Sequence, residues 1–205
     1  MQYRLLFFTH KQPKSKFLTL LIDLKKTEEE IWMKDVNSKR RNMIRKAEKS
    51  GLTVMINNES IDEFYSFYNA ANSKHKLQCL PINFFYDLNE QKRHINIKYL
   101  WAIRKNEILG ITVIIYDKNY ALYWIGISVD NTPNLGQGEL LQWEAIKLIK
   151  LNGCKYYDLC YIEKEKLPYI YKFKKGFSNS EIAIPLITKK TFSYKIINKI
   201  MKQFN

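Results

Sequence analysis

Residues 97–128 read IKYLWAIRKNEILGITVIIYDKNYALYWIGIS, and the fold turns on this stretch. Three runs rich in β-branched and aromatic residues span Ile97 to Arg104, Ile108 to Tyr116 and Tyr120 to Ser128. Only Lys105-Asn106-Glu107 and Asp117-Lys118-Asn119 separate them. Connections this short leave no room for a crossover, so the three strands must pair as an antiparallel meander.

Downstream, a Pro/Asn/Gly loop precedes an amphipathic helix from Glu139 to Asn152, closed by Gly153. A buried-type strand at Tyr156 to Leu159 follows, then a short helix around Leu167 to Lys174. A strand near Ile182 to Leu186 and a basic helix from Phe192 end the chain. Upstream, Pro81 opens a helix near Phe84, Phe85 and Leu88. Ser60 caps another through about Lys74, with Phe64, Phe67, Tyr68 and Ala71 on one face. Before these comes a short strand, Leu52 to Ile56. A long helix precedes it, from the capping box at Thr27 and Glu30 to about Ser50, where Gly51 stops it. The run Phe17 to Leu24 reads as a strand. Tyr3 to Phe8 is apolar but is cut short by His10-Lys11-Gln12, so it too reads as a strand and not as a signal peptide or membrane span.

The chain has 205 residues, room for one ordinary domain, and at 46% hydrophobic it can fill a core. Net charge is +14, which favours anionic partners such as nucleic acid, nucleotide cofactors or acidic membrane surfaces; a Lys-rich solvated surface reads equally well. Cys79, Cys154 and Cys160 form no CxxC pair and are odd in number, which fits the reducing cytoplasm and excludes a disulfide framework. His10, His75 and His94 lack metal-ligand spacing, so no metal site is expected.

Two segments carry candidate chemistry. In Pro133-Asn134-Leu135-Gly136-Gln137-Gly138, two small residues before a helix let backbone N–H groups approach an anion, although such a pair is also a common turn. In the helix before Gly51, Arg41 and Arg45 share a face and could clamp a phosphate, or simply form a solvated basic surface.

The string Trp32…Arg40-Arg41-Asn42-Met43-Ile44-Arg45-Lys46-Ala47…Gly51-Leu52 resembles a signature of FemAB-like proteins, which add amino acids to peptidoglycan precursors, and of their GNAT relatives. Further similar strings follow in order: Tyr123-Trp124-Ile125-Gly126, Leu141-Gln142-Trp143-Glu144-Ala145-Ile146, Tyr157-Asp158-Leu159 and Phe173-Lys174-Lys175-Gly176-Phe177. The element order from Leu52 onward is also that of the GNAT layout.

The resemblance implies an α/β (α+β) fold with a mixed, mostly antiparallel twisted sheet flanked by helices. It divides the chain into a strand plus basic helix (1–51), a GNAT-like domain (52–188) and a basic amphipathic helix (189–205). Because typical relatives have two GNAT-like halves, a short form lacking the first half is expected.

The implied activity is N-acyl transfer to an amine of an envelope sugar or peptide precursor. The donor would be acyl-CoA, cradled at Gly136, Gln137, Gly138 and Glu139, or alternatively an aminoacyl-tRNA. A non-enzymatic binding module is the third reading. Lys174 would hold a developing oxyanion, Asp158 would take the proton of the attacking amine, and Tyr171 would protonate the leaving group. Arg41, Arg45, Tyr123, Trp124 and Phe173 would contact substrate. Each has a plainer alternative: Lys174 as a surface lysine, Phe173 and Tyr123 as core, Asp158 as a cap, and Cys160 as a departure that narrows the site. The C-terminal helix could rest on the inner face of the membrane or pack on its own domain. A second copy of the chain completes the expected partners.

Overall fold

The computed structural model describes residues 17–57, 61–74, 76–90, 95–129 and 132–184. The expected strand at Tyr3 to Phe8, the Ser60 cap, all three histidines and the basic helix from Phe192 lie outside these residues.

The meander forms as its short connections require. Strands β3 (Asn96–Arg104), β4 (Glu107–Tyr116) and β5 (Tyr120–Ser128) pair antiparallel, and β2 (Thr53–Asn57) adds to the outer edge of β3. On the other side β5 meets β6 (Tyr156–Asp158) in the sheet's parallel pairing. Strand β1 (Phe17–Asp23) is antiparallel to β6, to β7 (Ile162–Glu163) and to β8 (Ser180–Ala183). One mixed, mostly antiparallel sheet therefore runs β2-β3-β4-β5-β6-β1, with β1 from the N-terminal segment inside it.

Strand alternation gives this sheet two apolar faces. Tyr99, Trp101, Ile111 and Val113 point to one face, where Phe64 and Tyr68 of α3 (Ile61–Lys74) and Phe85 of α4 (Ile82–Glu90) cover them. Leu100, Ala102, Ile114 and Tyr116 point to the other face. There α5 (Gln137–Leu151) lays down Leu140, Leu141, Ala145, Ile146 and Ile149. The antiparallel sheet with helices on both faces matches the expected GNAT-like architecture.

The single helix expected from Thr27 to Ser50 is in fact two. Thr27 and Glu30 form the reciprocal capping box, starting α1 (Glu28–Glu30), which widens into a π-helical turn at Ile31–Asp35. Val36 then turns extended, and Asn37 caps α2 (Ser38–Lys49) by accepting from the Arg40 N–H at 3.0 Å. Asn side chains compete with helical backbone bonds and favour caps, so Val36-Asn37 breaks the helix. The break lets α2 set its own direction, with Ile44 and Ala47 buried against α5. No helix among the described residues is long and apolar enough to cross a membrane.

Candidate active site

Strand β6 is three residues long, so it pairs with β5 only from Tyr120 to Leu122. Beyond Leu122, β5 continues to Ser128 without that neighbour, and a cavity of about 580 Å³ opens beside it. Tyr123, Gly126 and Ser128 line its floor, Gln137, Gly138 and Glu139 one wall, and Arg40, Tyr169 and Phe173 the other.

A bulge shapes the floor. Val113 opposes Ile125 and Ile114 opposes Tyr123, leaving Trp124 as the extra residue. Tyr123 thus faces the cavity, its hydroxyl lying directly over Gly126, where a Cβ would come within 1.8 Å of it. Burial pushes the Tyr123 hydroxyl up to about 12, so it stays protonated at neutral pH and can donate a hydrogen bond. Trp124, expected at the substrate, instead packs on the opposite face against Phe84 and Phe85, with ring centroids 6.1 and 5.6 Å away. The sheet separates it from the cavity.

Lys174 is buried, with 6% of its surface exposed, on α6 (Pro168–Lys175). That decides between the surface and interior readings. Its Nζ donates to the Cys160 carbonyl at 3.2 Å and lies 5.8 Å from the centre of the Tyr123 ring. Burial pulls its pKa below the ordinary lysine value, while Cys160 and Asp158 nearby push the other way. Cys160 sits at a left-handed backbone position, φ 66°, and burial raises its thiol pKa, partly offset by Lys174.

Asp158 ends β6 with its carboxylate occupied. Oδ1 accepts from Thr19 Oγ1 and, at 2.7 Å, from the Cys160 N–H; Oδ2 accepts from the Tyr120 hydroxyl. These bonds tie β1, β5 and the Cys160 turn together, and burial followed by Asp158 drives the Tyr120 pKa well upward. Tyr171 donates to Glu181 at 2.6 Å, with Lys164 over its ring at 4.5 Å, so its hydroxyl is engaged with β8.

The first turn of α5 has no side-chain cap. The N–H groups of Gln137, Gly138 and Glu139 have no partner among the described residues, whereas Gly136 N–H donates to Asn134 Oδ1 at 3.2 Å. Gly136 is explained by packing: at φ 93° its missing Cβ would meet the Met43 carbonyl of α2 at 2.3 Å. Gly136→Ala is therefore expected to cost about 2 kcal/mol, from the left-handed backbone alone, in a urea titration. Gly138 has only Phe173 ring atoms, at 3.6 and 3.7 Å, beside its open position. Gln137 folds back, its Oε1 accepting from the Leu135 N–H at 2.9 Å.

The two arginines expected as a clamp are apart. Arg41 turns inward and donates to the Trp32 carbonyl at 3.1 Å and to the Val36 carbonyl, satisfying the end of the π-helical turn. Arg45 lies outside on the Trp32 ring, 5.4 Å from its centre. The arginine that reaches the cavity is Arg40. Its Nη1 pairs with Glu139 at 2.6 Å, Nη2 donates to the Lys172 carbonyl at 3.1 Å, and its plane covers Phe173 at 4.8 Å. Gly176 leaves the space: a Cβ there would be 2.6 Å from Arg40 Cγ. The signal for this was in the sequence, because Arg40 stands four and seven residues before Ile44 and Ala47, on the buried face of α2.

Among the described residues no group of three or more His, Cys, Asp or Glu could hold a metal ion.

The sequence matches the FemAB family over residues 8–99. A comparison with curated proteins finds no match. Among solved structures, FemX superposes with a TM-score of 0.66 at 11% identity, over 89% of this chain and 63% of that one. The C-terminal domain of an Agrobacterium fabrum protein described as a lysylphosphatidylglycerol synthetase gives 0.61 at 12%, over 90% of this chain and 63% of that one. A tandem GNAT protein from the clavulanic acid biosynthesis pathway gives 0.51 at 11%, over 84% and 53%. The chain thus spans less than two thirds of each of these proteins. The sequence match is thus to the FemAB family over residues 8–99, and the superpositions show that the chain shares its fold with FemX and with the tandem GNAT protein.

Proposed function

We propose that the protein is an aminoacyltransferase, joining an aminoacyl group carried as an ester on tRNA to an amine of an envelope sugar or peptide precursor. The observation that carries this reading is the cavity where β5 outruns β6, with the Tyr123 hydroxyl facing in and the Lys174 ammonium buried behind it. The amine nitrogen attacks the ester carbonyl, a C–N bond forms, the C–O bond breaks, and the ribose hydroxyl leaves with a proton from the amine. Negative charge gathers on the carbonyl oxygen. Tyr123 donates to it, and Lys174 supplies positive charge in surroundings that screen it poorly. Phe173, Gly138 and the Arg40–Glu139 pair form the walls that orient the acyl group. Asp158, already accepting three hydrogen bonds, holds the strands that carry these groups.

Acyl-CoA, the donor favoured by the glycine loop, is the second reading. The three unpartnered N–H groups at the start of α5 support it. Against it, the Arg40 guanidinium beside this turn is already paired with Glu139, so the turn offers a diphosphate backbone N–H groups but not that cation. Kinship with FemAB favours the aminoacyl ester. Titration calorimetry with charged tRNA and with acetyl-CoA decides the donor. Stoichiometric heat from acetyl-CoA alone sinks the aminoacyl reading, and heat from neither leaves only a binding module.

A further inference from the structure

The cations of this chain are not treated alike by the fold. Lys26 pairs with Asp35 at 2.7 Å, Lys34 with Glu30 at 3.1 Å, Lys147 with Glu144 at 2.6 Å, and Lys175 with Glu181 at 2.8 Å. The outer face of α2 gathers several cations that lack such a partner. Lys39, Arg45, Lys46 and Lys49 are exposed, share one face with Asn42, and have no carboxylate partner among the described residues. Arg45 lies over the Trp32 ring, 5.4 Å from its centre, and donates to Asn42 Oδ1 at 3.3 Å, with no carboxylate partner among the described residues. Asn42, Arg45, Lys46 and Lys49 line a shallow depression of about 340 Å³.

The face also has a fixed relation to the cavity. Lys46 Nζ donates at 2.8 Å to the carbonyl of Asn134, a cavity-lining residue, and the Met43 carbonyl of α2 abuts Gly136. Anything lying along α2 therefore reaches the cavity rim at the Asn134 to Gly136 turn. From Lys39 to Lys49 the helix advances about 15 Å, which spans roughly four phosphates of one nucleic-acid strand. Of the apolar side chains of α2, Ile44 and Ala47 are buried and Met43 is half-buried, so the exposed face is mainly charged, which suits a phosphate backbone better than the interior of a bilayer.

We propose that the outer face of α2 docks the phosphate backbone of an RNA helix, so that the RNA's 3′ end enters the cavity past Asn134. This rests on the aminoacyl-tRNA reading and adds the surface that carries the RNA. The test uses an uncharged RNA minihelix with the length and single-stranded 3′ end of a tRNA acceptor arm. Its binding is followed by fluorescence anisotropy across a salt series, for the wild type and for the triple variant Lys39→Glu, Arg45→Glu, Lys49→Glu. All three positions are exposed, so an unchanged thermal midpoint is expected, and a Gln triple variant separates loss of charge from reversal. The triple Glu variant should bind about 10- to 100-fold more weakly near 0.1 M salt. The slope of log K against log salt should shrink in magnitude by about 2 to 3, one for each lost phosphate contact.

Wild-type affinity in that folded variant overturns the docking surface and leaves the aminoacyl reading standing. Acetyl-CoA binding with no RNA affinity in the wild type overturns both. Wild-type preference for phosphatidylglycerol vesicles over the minihelix, lost in the triple variant, assigns the face to a membrane and overturns the RNA proposal.

Discussion

Lys174→Ala is expected to lower kcat about 100- to 1000-fold, the range found when a group stabilising a developing oxyanion is removed. The magnitude follows from placement. An exposed lysine works through high-dielectric water, where a unit charge at 4 Å contributes only about 1 kcal/mol. Lys174 is 6% exposed, pinned by the Cys160 carbonyl and backed by Tyr123. Tyr123→Phe removes the cavity-facing donor and should fall in the same range. Substrate affinity should change little, because charge on the carbonyl oxygen builds only in the transition state. Steady-state kinetics check this: a Lys174→Ala enzyme with normal kcat and a raised KM would move Lys174 from chemistry to binding.

The same residue sets a pH dependence whose sign is fixed. Burial lowers the folded-state pKa of Lys174 below the ordinary lysine value of 10.5. Activity that needs its ammonium should therefore fall on an alkaline limb below 10.5 that Lys174→Met lacks. Stability moves the opposite way. Well below the folded pKa the group is charged in both states and the burial penalty is present in full. As pH rises through the folded pKa towards the unfolded one, the unfolded chain holds more protons and the penalty fades. Urea titrations at pH about 7 and about 10 should show wild-type stability rising relative to Lys174→Met; a constant gap would mean an unperturbed amine.

What could be read from sequence divides along physical lines. The strands at 97–128 lie within a residue of their expected bounds, because three-residue connections and β-branched runs are local properties. The cavity's glycine loop, Tyr123 and Phe173 were legible because each sits beside a chain feature that shows in sequence, a turn or a repeated string. Trp124 could not join Tyr123 at the cavity because neighbouring strand residues point to opposite faces; the bulge adds only that Ile125 shares the Trp124 face, which nothing local in Tyr123-Trp124-Ile125-Gly126 records. Arg41 and Arg45 drew attention through their spacing, yet Arg40 stands in line with Ile44 and Ala47, whose burial the same helical period predicts. An arginine on an apolar face needs a buried acceptor. Glu139 lies 99 residues away, so the pair became visible only once α2 and α5 were packed together.

That pair carries the largest expected stability effect. Arg40→Ala should destabilise the fold by about 3 kcal/mol, the lower end for breaking a buried ion pair, since the cavity gives Glu139 some access to water. The side chains of Arg40 and Glu139 are only 12% and 10% exposed. Truncation strands a carboxylate, releases the Lys172 carbonyl on α6, uncovers one face of Phe173 and leaves a void over Gly176. Arg40→Lys should recover little, because one ammonium cannot serve Glu139 and the Lys172 carbonyl while covering Phe173. Arg40→Met combined with Glu139→Gln should recover most of the loss, since it refills the space and removes the stranded charge. A double-mutant cycle by urea denaturation measures each step. Single and double variants within about 1 kcal/mol of the wild type would mean that the pair is solvated like a surface bridge. In that case Phe173 would be held by its contact with Phe177, 5.4 Å between ring centres, and not by the guanidinium.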